Sequence, residues 1–206
     1  MKLILASSSP RRARILSDAG IPFDVVATEI DESRHPGEPV AAMALRLAEA
    51  KARAAIAQRA AQARPSQELA RAPQETTFFI GADTIVELDG DPLGKPASAE
   101  AARAMLGRLI GRSHRVMTGV AIVRMPGGHA QCEVETTDVR LAALNQQEID
   151  SYVGTGEPLD KAGAYAIQGL GGRFIERVEG CYFNVVGLPL SRVCRILKEL
   201  GWRPDC

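Results

Sequence analysis

The sequence predicts an α/β fold, with a mixed, twisted sheet, flanking helices and a central cleft. Three observations lead there. The chain opens on a short apolar run followed at once by a hydroxyl-rich turn and a helix start. A long alanine-rich helical stretch precedes a strongly apolar strand region that ends in Asp89-Gly90, a tight hairpin signal. A second pair of strand-like runs is joined by Pro126-Gly127-Gly128, which gives the sheet antiparallel pairs beside the parallel ones that strand–helix alternation favours. At 206 residues the chain suits one compact domain, with two lobes around the cleft.

In chain order, Leu3, Ile4, Leu5 and Ala6 have the length and character of a buried strand. Ser9 followed by Pro10 reads as an N-cap with proline at the first helical position, and Gly20 as the C-terminal stop. A second strand is expected over 23–27, with the acids Glu29, Asp31 and Glu32 just past it, where α/β proteins place ligands. Residues 40–63 form a helix, and the polar, proline-punctuated stretch 64–76 a surface loop. Strand 77–88 follows, then the rigid loop Gly94-Lys-Pro96 and a helix over 97–110. Strands 114–125 and 131–141 pair, with Glu133, Glu135, Thr137 and Arg140 outward. Asn145 and Glu148 have capping-box spacing for a helix to about 153. Residues 157–172 are too glycine-rich for a regular element and too apolar for a linker, and read as a structured binding loop. A short strand over 174–178, a turn at Val185-Val186-Gly187 and a closing helix over 189–200 complete the chain.

Composition narrows the function. Lys plus Arg equal Asp plus Glu at 25 each, which argues against a general nucleic-acid or membrane-surface binder and leaves room for a local basic pocket. Aromatics make up 4%, too few for a base-stacking platform along single strands. No apolar run approaches membrane-spanning length, and the opening run is too short and too soon followed by arginines for a signal peptide, so a cytoplasmic protein is expected. Cys132, Cys181, Cys194 and Cys206 show no paired metal spacing.

Several residues sit against the local rules. Arg11, Arg12 and Arg14 occupy the first turn of a helix, where the dipole favours acids; cations there suit an anion docked at the same terminus. Lys51 shares a largely apolar stripe with Leu47 and Ala55, either snorkelling or aimed into a cleft. Asp83 interrupts the apolar strand Phe79-Ile80…Ile85-Val86, an expensive place for a carboxylate unless paired, hydrogen-bonded or metal-bound. Gly81 beside it allows a bulge or a close backbone approach. Gln168 carries an amide able to read a base edge, or simply to cap backbone. Together Ser7, Arg11, Arg12, Lys51 and Lys95 offer phosphate recognition, and Glu32 and Asp83 offer metal or base chemistry. No Walker A pattern is present, so phosphate would be gripped by side chains and the first helix terminus.

These residues fall within longer matching stretches: Leu5-Ala-Ser-Ser-Ser-Pro-Arg-Arg12, Lys51-Ala52, Gly81-Ala-Asp-Thr84, Gly94-Lys-Pro96, Met117-Thr-Gly-Val120, Pro158-Leu-Asp-Lys-Ala-Gly-Ala-Tyr165, Ile167-Gln-Gly-Leu-Gly-Gly172 and Val185-Val-Gly-Leu-Pro-Leu190. In these, and in their order, the sequence resembles the Maf family of nucleotide pyrophosphatases, the septum-formation-inhibitor-like proteins. The resemblance implies a fold similar to inosine triphosphate pyrophosphatases. It implies hydrolysis of a nucleoside triphosphate to the monophosphate and pyrophosphate, with a divalent metal, Mg²⁺ or Mn²⁺. It places the proton acceptor on Asp83, the remaining active-site positions on Ser7, Arg12, Glu32, Lys51 and Lys95, and substrate specificity on Arg11, Thr84 and Gln168. The metal is expected near Asp83 and Glu32. Arg, Thr and Gln at the specificity positions match the dTTP/UTP branch; the 7-methyl-GTP branch typically carries tryptophan in place of Arg11. The departures are the Ser7-Ser8-Ser9 triplet and the polar insertion 64–76. The alternatives are a 7-methyl-GTP or non-standard nucleotide pyrophosphatase and a nucleotide-binding regulator of cell division. A homodimer is compatible with the sequence, though no heptad specifies one.

Overall fold

The apolar opening run forms β1 (Lys2–Ala6), and Pro10 begins α1 (Pro10–Asp18). In the computed structural model, which describes residues 1–62 and 75–203, α1 closes as expected at Gly20. The Ile21 amide donates to the Leu16 carbonyl at 3.0 Å and the Gly20 amide to Ser17 at 3.0 Å, with Gly20 at φ +68°. The second strand is shorter than expected: β2 covers only Asp24–Val25, both exposed, because it lies at the sheet edge against β1. Then come α2 (Val40–Gln62), β3 (Thr77–Leu88), β4 (Asp91–Leu93) and α3 (Ala99–Leu109). The expected loop 64–76 lies outside the described residues except for Glu75 and Thr76. The second half holds β5 (Ser113–Met125), β6 (His129–Leu141), α4 (Gln146–Gly154), β7 (Ile175–Glu179), α5 (Tyr182–Val186) and α6 (Leu190–Glu199).

The strands make one seven-stranded mixed sheet, ordered β2-β1-β3-β5-β6-β7, with β4 paired to β3. Register explains the cleft. One edge of β3 is covered by β5 from Thr77 through Glu87. The other edge is shared. β1 runs parallel to it and stops where Ala6 meets Gly81, and β4 returns antiparallel only from Val86, opposite Leu93. Asp89 and Gly90, both at positive φ, make the tight turn between β3 and β4. Between those two partners, the edge at Ala82, Asp83, Thr84 and Ile85 carries no ladder partner among the described residues, and the sheet is notched there.

Packing on the two faces follows the alternation of β3. Phe79 and Ile85 face α2 (Val40, Ala44, Ala48, Ala52, Ala55), while Phe78, Ile80 and Ala82 face α1 and α6 (Leu16, Val193, Ile196, Leu197). A third cluster joins α3 and α4 to the far end of the strands through Leu106, Leu109, Tyr152 and Leu141. The Asn145–Glu148 capping box forms as its spacing predicts, with both reciprocal bonds present. The outward reading of Thr137 does not hold. It is fully buried under α5, where its hydroxyl donates to the Cys181 carbonyl and accepts from Asn184. The expected turn at Val185-Val186 is the end of α5, with Gly187 following it. Among the described residues no helix is long and apolar enough to cross a membrane.

Alanine content in α2 and two strand glycines let helix and sheet approach unusually closely. A β-carbon on Gly81 would lie 2.0 Å from the Ala48 carbonyl oxygen, and one on Gly119, the β5 partner of Asp83, 2.2 Å from that of Ala44. The ladder runs unbroken through Gly81, so of the two uses open to this glycine the structure shows close approach and no bulge. Gly81→Ala should therefore force α2 off the sheet and lower the stability seen in urea unfolding by about 1–3 kcal/mol. An unchanged midpoint would mean that the helix has room to spare.

Candidate active site

The notch opens into a cleft of about 630 Å³, and the side chains expected to take part in phosphate, metal, base or specificity roles line it: Ser7, Arg11, Arg12, Glu32, Lys51, Asp83, Thr84, Lys95 and Gln168. They arrive from different elements. Ser7 follows the end of β1, the arginines begin α1, Asp83 and Thr84 occupy the unpaired edge of β3, and Lys95 lies just past β4.

On the α2 side, Lys51 is aimed into the cleft, as one of the two readings of its apolar stripe predicts. Its side chain is 11% exposed, and its ammonium lies 2.6 Å from Asp83 Oδ1 and 2.7 Å from Glu32 Oε1. Burial raises the Glu32 pKa, but the Lys51 hydrogen bond and the charges of Lys51, Lys95 and Arg12 outweigh it and hold the carboxyl below its ordinary value. Two carboxylates thus converge on one cation position. Among the described residues no three His, Cys, Asp or Glu side chains cluster as a ready metal cage. Two carboxylate oxygens, completed by substrate phosphates and water, nevertheless fit a hard divalent cation such as Mg²⁺.

On the α1 side, Arg12 is buried at 8% exposure and its recorded partners are all neutral. Nε donates to the Gly187 carbonyl at 2.8 Å, Nη1 to Ser7 Oγ at 3.2 Å and Nη2 to Thr84 Oγ1 at 3.0 Å. Three of the five guanidinium N–H donors are used, which leaves one on each terminal nitrogen. Burial pushes the Arg12 pKa down; the more distant charges of Asp83 and Glu32 oppose that shift. Behind Arg12 runs a buried polar chain: Thr84 Oγ1 meets Thr118 Oγ1 at 2.9 Å, and Thr118 donates to the Asn184 carbonyl at 3.2 Å. Ser9 stands at the N-cap position but makes no side-chain cap. Ser7 Oγ instead accepts the Ser9 amide at 3.2 Å, and the helix terminus faces the cleft. A buried cation beside an uncapped helix N-terminus suits an anion.

The mouth of the cleft carries the remaining charges. Arg11 reaches Asp160 at 3.5 Å, and Asp160 also pairs with Lys161. Arg14, by contrast, pairs with Asp18 at 2.7 Å on the exposed side of α1, and is absent from the cleft lining. Lys95 and Gln168 are exposed at the rim. Tyr165 lines the wall, with its hydroxyl 2.7 Å from Nε2 of buried His114.

Sequence reasoning gave no role to Thr118, Asn184 or the Gly187 carbonyl. An amide set between Phe183 and Val185 was the available signal for Asn184; nothing in the pattern marks a carbonyl from 175 residues away as the partner of Arg12.

A cleft in a mixed α/β sheet, walled by a buried arginine and floored by a lysine-bridged carboxylate pair, defines the class. The chain belongs to the Maf-like protein family, whose model matches residues 2–200. It is 46% identical over 203 residues to a dTTP/UTP pyrophosphatase of Anaeromyxobacter sp. (strain Fw109-5), covering 97% of this chain and 90% of the relative. It is 47% identical over 201 residues to a dTTP/UTP pyrophosphatase of Symbiobacterium thermophilum, covering 98% and 95%. A dTTP/UTP pyrophosphatase of Hahella chejuensis is 46% identical over 202 residues, covering 97% and 92%.

His114 gives the cleft wall a pH dependence. Burial lowers its pKa from 6.5 to about 4, so the folded protein keeps it neutral while the unfolded chain takes up a proton. Its contribution is complete above pH 6.5 and is lost as pH falls from 6.5 towards 4, by up to about 3 kcal/mol. Urea midpoints measured across that window should fall more steeply for the wild type than for His114→Gln; parallel curves would show that His114 does not titrate out of register with the unfolded chain.

Proposed function

We propose that this protein hydrolyses dTTP and UTP to the nucleoside monophosphate and pyrophosphate. The observation that carries the reading is Arg12, a buried guanidinium with neutral partners and two donors to spare, at an uncapped helix terminus facing the Lys51–Asp83–Glu32 group. A triphosphate supplies the missing negative charge. The relatives' shared name supports the choice of dTTP and UTP, and so do Arg11, Thr84 and Gln168, the residue types expected of that branch.

In this reading Asp83 is the proton acceptor. Lys51 occupies Oδ1 and leaves Oδ2 for a water molecule. The water oxygen bonds to the α-phosphorus, its proton passes to Asp83, and the bond from the α-phosphorus to the bridging oxygen breaks, releasing pyrophosphate. Arg12 and Lys95 hold the departing phosphates, and Ser7, whose hydroxyl accepts twice and keeps its own proton to give, donates to a phosphate oxygen. Lys51 holds the Asp83 carboxylate in place through its hydrogen bond to Oδ1. A divalent cation held by Asp83 and Glu32 would neutralise phosphate charge there. Arg11 and Gln168 at the rim choose the base.

Asp83→Asn should fold and lose turnover by about 10²–10⁴-fold, as loss of a general base does. Near-wild-type turnover would remove Asp83 from that role. Pyrophosphate release from a panel of triphosphates should be greatest with dTTP and UTP, vanish with a chelator and return with Mg²⁺ or Mn²⁺. Release chiefly from 7-methyl-GTP would keep the chemistry and overturn the base assignment; undiminished release in chelator would remove the metal.

A further inference from the structure

We propose that Glu157 and Tyr152 form a clamp that sets where Gln168 stands, which makes them positioning residues for base selection; the proposal rests on the reading of Gln168 given above. Gln168 is exposed, and its placement is set by its backbone. That backbone is held by Tyr152 on one side and by Glu157 on the other. Before Gln168, the Ala166 amide donates to Tyr152 Oη at 3.2 Å. After it, the Leu170 amide donates to Glu157 Oε2 at 2.9 Å and the Gly171 amide to Glu157 Oε1 at 2.9 Å. The Tyr152 hydroxyl closes the unit by donating to Glu157 Oε1 at 2.9 Å.

The clamp is itself anchored. Tyr152 belongs to α4, is fully buried, and meets Phe174 edge-on with ring centroids 5.2 Å apart. The loop's glycines make the approach possible. A β-carbon on Gly169, at φ +88°, would lie 2.5 Å from Glu157 Oε2, and one on Gly171 would lie 2.4 Å from Tyr152 Oη. Burial pushes the Glu157 carboxyl up, but the Leu170 and Gly171 amides and the Tyr152 hydroxyl outweigh it and hold the pKa below the ordinary value, so the group is a carboxylate with two acceptor oxygens. Both oxygens are needed. The amide of Glu157→Gln offers one acceptor and turns N–H donors towards a backbone N–H. Tyr152→Phe keeps the ring packing and removes only the hydroxyl that serves Ala166 and Glu157.

Neither side chain lines the cleft, so the clamp acts through Gln168 and not on the reacting atoms. The test is the ratio of kcat/KM for dTTP against dGTP in wild type, Glu157→Gln, Tyr152→Phe, Gln168→Ala and the Glu157→Gln/Gln168→Ala double variant, with the thermal midpoint of each. The clamp predicts that both single clamp variants raise KM for dTTP and lower the preference by roughly fivefold, with kcat little changed. It also predicts that Glu157→Gln has no further effect on the ratio once Gln168 is alanine, as residues acting through one contact behave. A preference that collapses in Gln168→Ala but stays intact in Tyr152→Phe and Glu157→Gln, whatever their midpoints, would show the pair to be purely structural and overturn the proposal. A preference unmoved by Gln168→Ala would instead overturn the reading of Gln168, and the clamp's purpose with it.

Discussion

β3 is longer than its partners on one edge, and the cleft follows from that mismatch. β1 stops at Ala6, opposite Gly81, and β4 takes up the edge again only at Val86. The intervening backbone gives up its ladder on that side and in return presents Asp83 and Thr84 at an opening. Because successive strand residues point to opposite faces, these two neighbours address different layers. Asp83 turns towards α2, where Lys51 meets it, and Thr84 turns towards α1, where Arg12 meets it. A single notch thus gathers charge from both sides of a sheet that would otherwise separate them.

The two layers treat charge differently. On the α2 side the buried lysine meets two carboxylates, so its own charge is compensated and the group as a whole keeps one negative charge. Removing Lys51 alone would leave Asp83 unpaired in an apolar strand, a loss on the order of 3–5 kcal/mol. On the α1 side Arg12 is solvated by a hydroxyl, a second hydroxyl and a carbonyl. Neutral dipoles can tolerate a buried cation, but an anion satisfies it better. That asymmetry leaves the α1 side of the cleft with an uncompensated cation and the α2 side with an excess of carboxylate, the division on which the proposed roles of Arg12 and Asp83 rest.

Much of this was legible in the sequence because the site residues break local rules. Asp83 is a carboxylate within an apolar run, and Arg11 and Arg12 stand where the helix dipole favours acids. Such violations are visible without a structure, and except for Arg14, which pairs with Asp18 on the outer side of α1, the side chains named from them and from the family resemblance line one cleft. The strands 77–88 and 114–125 were equally plain, since long apolar alternation leaves few choices. What stayed hidden obeys local rules and matters only in three dimensions. Thr137 reads as an outward strand residue until α5 covers it, and Val185-Val186 reads as a turn until the helix is seen to begin at Tyr182. The partners of Arg12 lie at residues 7, 84 and 187. No periodicity links such positions; the tertiary fold alone does.

The most direct test of the account is a crystal structure of the Asp83→Asn protein with dTTP and Mg²⁺. The account predicts the triphosphate against the start of α1, with the two remaining Arg12 donors on phosphate oxygens, the α-phosphorus facing residue 83, and the thymine beside Gln168. Phosphates bound only at the outer rim, with Arg12 still confined to Ser7, Thr84 and Gly187, would contradict it.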